Sequence, residues 1–125
     1  MKNQRGFGLV ESLVALALMG IVLTGLLPSF MVFLRANTLN DTRSGALAAA
    51  QQIVEGLRRQ DPSLLPSSGA SAAQLVAVGG REFEVVTRYC SRPEHCNSES
   101  RQLLVEVTYG GRQVLSVETV QTALR

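Results

Sequence analysis

The sequence predicts an α+β chain: one long N-terminal helix, membrane-spanning in its first half and amphipathic in its second, packed on a four-stranded antiparallel sheet. Three observations predict it. Ser12 to Leu34 is a run of 23 residues without a charge. From Leu39 to Leu57 the apolar residues recur at three- and four-residue spacing, the period of a helix that buries one face. After residue 74 the period falls to two, with the nearly duplicate turns Gly79-Gly80-Arg81 and Gly110-Gly111-Arg112 between strand-like runs.

The charge-free run reaches roughly 34 Å as a helix, enough for the ~30 Å hydrocarbon core of a bilayer. It is preceded by Lys2, Arg5, Gly6, Phe7 and the carboxylate of Glu11. A carboxylate at the mouth of a membrane helix is costly and usually functional. A secretory signal fits less well. Ala15-Leu16-Ala17 has the small-residue form of a cleavage site, but it lies inside the apolar run, so cutting there would leave a hydrophobic stub. No Cys is near this end for a lipoprotein anchor. An uncleaved signal-anchor helix is the plainer alternative. Inside the run, Pro28 deletes the bond to the Thr24 carbonyl and kinks the helix, with Gly20 and Gly25 loosening the same stretch. A proline in a membrane helix is also ordinary.

The apolar stripe then continues through Leu39, Ala46, Leu47, Ala50, Ile53, Val54 and Leu57, with Asp41, Arg43, Glu55 and Arg58 between. Asp61-Pro62 ends it, because the residue before proline is pushed out of the helical region. One helix from Phe7 to about residue 60 would reach roughly 80 Å; two helices broken near Asn37–Asp41 are the alternative. Residues 61–73, small and punctuated by Pro and Gly, read as a surface loop. Gln74–Val78, Glu82–Cys90, Gln102–Tyr109 and Gln113–Val120 read as strands of a sheet over 74–121. Phe83, Val85, Thr87 and Tyr89 share one face of the second, and Leu103, Val105, Val107 and Tyr109 one face of the third. Paired glycines suit two-residue hairpin turns that need positive φ.

Cys90-Ser91-Arg92-Pro93-Glu94-His95-Cys96 is the chemically varied segment. Two Cys in an exported domain read first as a disulfide, closing a loop worth roughly 2.4 kcal/mol in the chain-entropy account. A metal site would draw on Cys90, His95, Cys96 and Glu94, but the spacing matches no structural zinc pattern. A catalytic Cys beside His95 lacks an orienting acid. No metal, cofactor or enzymatic activity is expected. Arg88, Arg92 and Arg101, with Tyr89 and His95, are candidate ligand contacts for phosphates or a partner subunit. Glu94 and Glu99 dilute that charge. The whole chain carries 12 Lys+Arg against 10 Asp+Glu, and without Lys2 and Arg5 it is formally neutral, which lends nucleic-acid binding no support.

The order basic leader, Gly6, Phe7, Glu11, apolar helix resembles the class III signal of type IV prepilins and type II secretion pseudopilins. The resemblance is specific over Arg5–Leu34 and architectural beyond, where a long helix on an antiparallel sheet is the pilin arrangement. It implies a leader over 1–6, a transmembrane and assembly helix over 7–34, and a pilin head over 35–125. It implies cleavage between Gly6 and Phe7 by a prepilin peptidase and N-methylation of Phe7. Glu11 would pair with the N-terminal amine of a neighbouring subunit, and the helix would bend or partly melt near Pro28 in the filament. Implied partners are other pilin subunits, the peptidase-methylase and an inner-membrane assembly platform. The expected placement is single-pass in the inner membrane, N-terminus cytoplasmic and head periplasmic, then in a filament; Lys2 and Arg5 before the helix agree with that orientation. The family usually has Thr or Ser where Gly8 stands. The small Cys90–Cys96 loop is nearer to a minor pilin or pseudopilin than to a major pilin. A tip or accessory pilin binding DNA, a surface or an exported protein through that loop is the second class of function.

Overall fold

The computed structural model describes residues 8–123. One helix, α1, runs Leu9–Arg58 and includes Pro28. Four strands follow: β1 Gln74–Val78, β2 Arg81–Tyr89, β3 Ser100–Tyr109 and β4 Arg112–Thr122. They form one antiparallel meander in the order β1-β2-β3-β4. The fold is α+β and pilin-like, with a long apolar N-terminal helix and a four-stranded antiparallel sheet. By internal contacts the chain divides into two units, up to Leu39 and from Asn40 onward.

The first unit is helix alone. Its large apolar side chains, among them Leu16, Ile21, Leu27 and Phe33, are all exposed. Pro28 cannot donate to the Thr24 carbonyl. In the same stretch the Thr24 hydroxyl donates to the Ile21 carbonyl at 2.8 Å and the Ser29 hydroxyl to the Gly25 carbonyl at 3.4 Å. Such internal satisfaction is what a helix with no water around it requires.

In the second unit the helix turns Ala46, Ala49 and Ala50 onto Phe83 and Val85 of β2 and Val105 and Val107 of β3. Ile53, Val54, Val76, Val78, Leu115 and Val117 extend this core. Small helix residues against large sheet residues let the backbones approach closely. Leu47, expected on the buried stripe, is 45% exposed, because it lies about 100° around the helix from Ala46. Leu39, also expected there, belongs to the first unit and is exposed.

α1 ends just before Asp61-Pro62. The Asp61 carboxylate accepts from the Ser63 amide at 2.9 Å and the Ser63 hydroxyl at 2.7 Å, capping a 3-10 turn over Pro62–Leu64. Residues 61–73 are not only a surface loop: Pro62 and Leu65 are buried. β2 is longer than β1, and the groups that β1 leaves open are taken by this segment. Ser71 N donates to the Thr87 carbonyl at 2.8 Å, and Tyr89 N to the Gly69 carbonyl at 2.9 Å. Both Gly-Gly turns have positive φ at each glycine, the geometry of a tight two-residue hairpin.

Candidate functional site

The candidate residues fall in two places: the start of α1 and the segment that joins β2 to β3. At the first, Gly8 precedes the helix and its carbonyl accepts the Ser12 amide at 3.2 Å. The Glu11 carboxylate, in the first turn, accepts the Gly8 amide at 3.0 Å. This is one half of a capping box, with glycine in the cap position. Glycine is among the residues favoured at a helix N-cap, so Gly8 suits this position where the family usually has Thr or Ser. Gly6 and Phe7, where cleavage and methylation are expected, lie outside the described residues.

At the second place Cys90 and Cys96 are joined, with an S–S distance of 2.06 Å and Cα atoms 5.8 Å apart. Cys90 has φ +53°, a left-handed conformation uncommon outside glycine, where the chain leaves β2 to enter the loop. The loop folds over the sheet face opposite the helix, and Gln102 is the residue it covers. The sequence pattern puts Gln102 on an outward position beside Glu106, yet it is 1% exposed. Its side-chain oxygen accepts from Arg92 N at 3.1 Å, and its amide nitrogen donates to Glu118 at 2.9 Å. Its backbone carbonyl accepts from Cys90 N at 2.8 Å, and its backbone N–H meets the Cys96 sulfur at 3.2 Å. A buried amide with both ends satisfied specifies one loop conformation. Nothing in the local pattern signals this, since the cover comes from residues brought back by the bridge.

The three candidate arginines are not brought together. Arg88, register partner of Leu104, sits on the loop side of the sheet and pairs with Glu106 at 2.8 Å. Arg92 reaches Glu118 at 3.7 Å on that same side. Arg101, one residue out of phase with Gln102, points to the other face. It donates through Nε to the Leu65 carbonyl at 3.4 Å and through Nη1 to the carbonyls of Asn97 and Ser100. The exposed His95 lies 4.0 Å from Glu94. Both thiols are spent in the bridge, and among the described residues no cluster of three His, Cys, Asp or Glu could hold a metal ion.

The prokaryotic N-terminal methylation motif matches residues 1–27. The chain carries a type IV pilin-like class III signal. No curated protein and no solved structure matches it. The matched stretch takes in Gly8, Glu11 and the first part of the apolar helix. Such a motif supports a pilin-like precursor and implies processing by prepilin peptidase and assembly with other pilins. α1 is long and apolar enough to cross a membrane, consistent with anchoring before entry into a filament.

Proposed function

We propose that this chain is a minor-pilin-like structural subunit of a type IV pilus assembly. Residues 1–6 are the leader, 7–34 the transmembrane and assembly helix, and 35–125 the head. The peptidase cuts between Gly6 and Phe7 on the cytoplasmic side of the inner membrane and methylates Phe7; the head then lies in the periplasm. The observation that carries this reading is the methylation motif ending in an apolar helix with a single carboxylate, Glu11, in its first turn. A carboxylate in an apolar bundle is tolerable when a cation meets it, and the new amine of a neighbouring subunit supplies one.

The head supports a structural part over a nucleic-acid-binding one. Arg88 and Arg92 already face Glu106 and Glu118, and Arg101 lies on the opposite face, so the three offer no continuous cationic track for a phosphate backbone. The pseudopilin of a secretion system shares every feature used here and differs in the machine that takes the subunit up.

The test is the intact mass of the protein isolated from its native membrane, with N-terminal sequencing. A chain that begins at N-methylated Phe7 supports the proposal; one that begins at Met1 overturns it in favour of an uncleaved signal-anchor.

A further inference from the structure

An open cavity of about 320 Å³ is lined by Ser67, Cys90, Pro93, Cys96, Asn97, Ser98 and Arg101. Of the two half-buried arginines among the described residues, Arg81 meets the carboxylate of Asp41, whereas Arg101 meets only carbonyls. Those bonds use Nε and Nη1, fixing the guanidinium plane and leaving Nη2 without a protein partner among the described residues. Ser67 and Ser98 line the same cavity, and neither hydroxyl has a protein hydrogen-bond partner among the described residues. A half-buried cation with no carboxylate partner among the described residues, held by three carbonyl bonds beside two serines and walled by a disulfide and a proline, is prearranged for an anion.

We propose that this cavity binds a carboxylate, with Arg101 supplying the charge and Ser67 and Ser98 the neutral donors. One guanidinium matches one negative charge. A phosphate dianion or a nucleic-acid backbone calls for further cations, and Arg88 and Arg92 do not line the cavity and are engaged with Glu106 and Glu118. The carboxylate comes from a small free acid or from an acidic side chain of a partner protein. The site uses only head residues and stands whether or not the chain polymerises.

The test is NMR of the full-length protein in detergent micelles with ¹⁵N-labelled arginine, following the Arg101 Nε–H signal. The titrants are sodium acetate, sodium chloride at equal ionic strength, inorganic phosphate, and a blocked tripeptide with a central glutamate or glutamine. Acetate should give a saturable shift that chloride does not. The double variant Ser67→Ala with Ser98→Ala leaves the three carbonyl bonds of Arg101 in place and should weaken binding about 2- to 10-fold, the loss expected for neutral hydrogen bonds. Tighter binding of the glutamate peptide than of acetate identifies a protein side chain as the source, and equal binding identifies a small free acid. The proposal is overturned by an acetate response no larger than that to chloride, by unchanged affinity in the double variant, by phosphate binding more tightly than acetate, or by the glutamine peptide matching the glutamate one.

Discussion

The ring of Phe83 closes directly over Gly45: a Cβ on that glycine would stand 2.8 Å from Phe83 Cζ and 3.0 Å from Cε2. Phe83 is fully buried and holds the centre of the helix–sheet core. Gly45→Ala should therefore destabilise the head, because overpacking costs about 1–3 kcal/mol and outweighs the helix-propensity gain of up to about 1 kcal/mol. Gly56 is the control. It lies in the same helix with nothing within 4 Å of where a methyl group would stand, so Gly56→Ala should stabilise by up to about 1 kcal/mol. Thermal unfolding of the full-length protein in detergent micelles should shift in opposite directions for the two variants, and a shift in the same direction refutes the close-packing account.

Asp61 predicts a pH dependence. Its bonds from Ser63 hold the carboxyl below its ordinary value of 3.8, so ionised Asp61 is favoured in the folded state. The sign follows from linkage: this stabilisation is complete above 3.8 and is lost as pH falls through the lower folded value. Asp61→Asn keeps a capping acceptor and removes the titration. Its loss of stability on acidification below about pH 4 should be smaller than that of the parent, as read from unfolding midpoints across pH. The hydrogen bond to Asp41 raises the Arg81 pKa above its ordinary value, and arginine stays charged across the whole accessible range.

The loop between β2 and β3 yields a third prediction. Gln102→Ala leaves the Arg92 amide and the Glu118 carboxylate without their buried partner, at a cost of about 1–3 kcal/mol. Replacing both Cys90 and Cys96 with Ala removes a short-loop cross-link worth roughly 2–3 kcal/mol. Because the bridge and the amide hold the same loop, the combined variant should lose less than the two separate losses together. Additive unfolding free energies would show that Gln102 and the bridge act independently.

How far the sequence carried the fold depends on the distance over which each feature is decided. The sheet was legible because Phe83, Val85 and Thr87 fall on one face with Glu82, Glu84 and Arg88 on the other, and because paired glycines announce the turns at Gly79 and Gly110. The helix end at Asp61-Pro62 was equally local. Gln102 was not legible: its polarity says outward, and only the return of the disulfide loop buries it. Leu47 errs in the opposite sense, since periodicity alone cannot tell which edge of a broad apolar stripe the sheet will cover. The pairing of residues 69–71 with β2 needed the relative lengths of two strands, and the cap at Gly8 needed the helix to begin at Leu9.

Glu11 separates two roles that a single alanine substitution would confound. Its carboxylate accepts the Gly8 amide at the head of α1, a task glutamine can also perform at the third helical position. Pairing with the amine of a neighbouring subunit needs the negative charge, which glutamine lacks. Glu11→Gln should therefore leave membrane insertion, peptidase cleavage and helix content unchanged, yet sharply reduce the fraction of subunit recovered in sheared, pelleted filaments. Glu11→Ala should show the same assembly defect together with a weakened helix start, since it also loses the hydrogen bond from the Gly8 amide. Glutamine incorporated at the parental level would mean that the carboxylate serves the helix terminus alone, and the assembly role proposed for it would fall. Glu11→Asp keeps the charge on a shorter arm, and partial recovery of filament incorporation there would tie the defect to charge rather than to side-chain length.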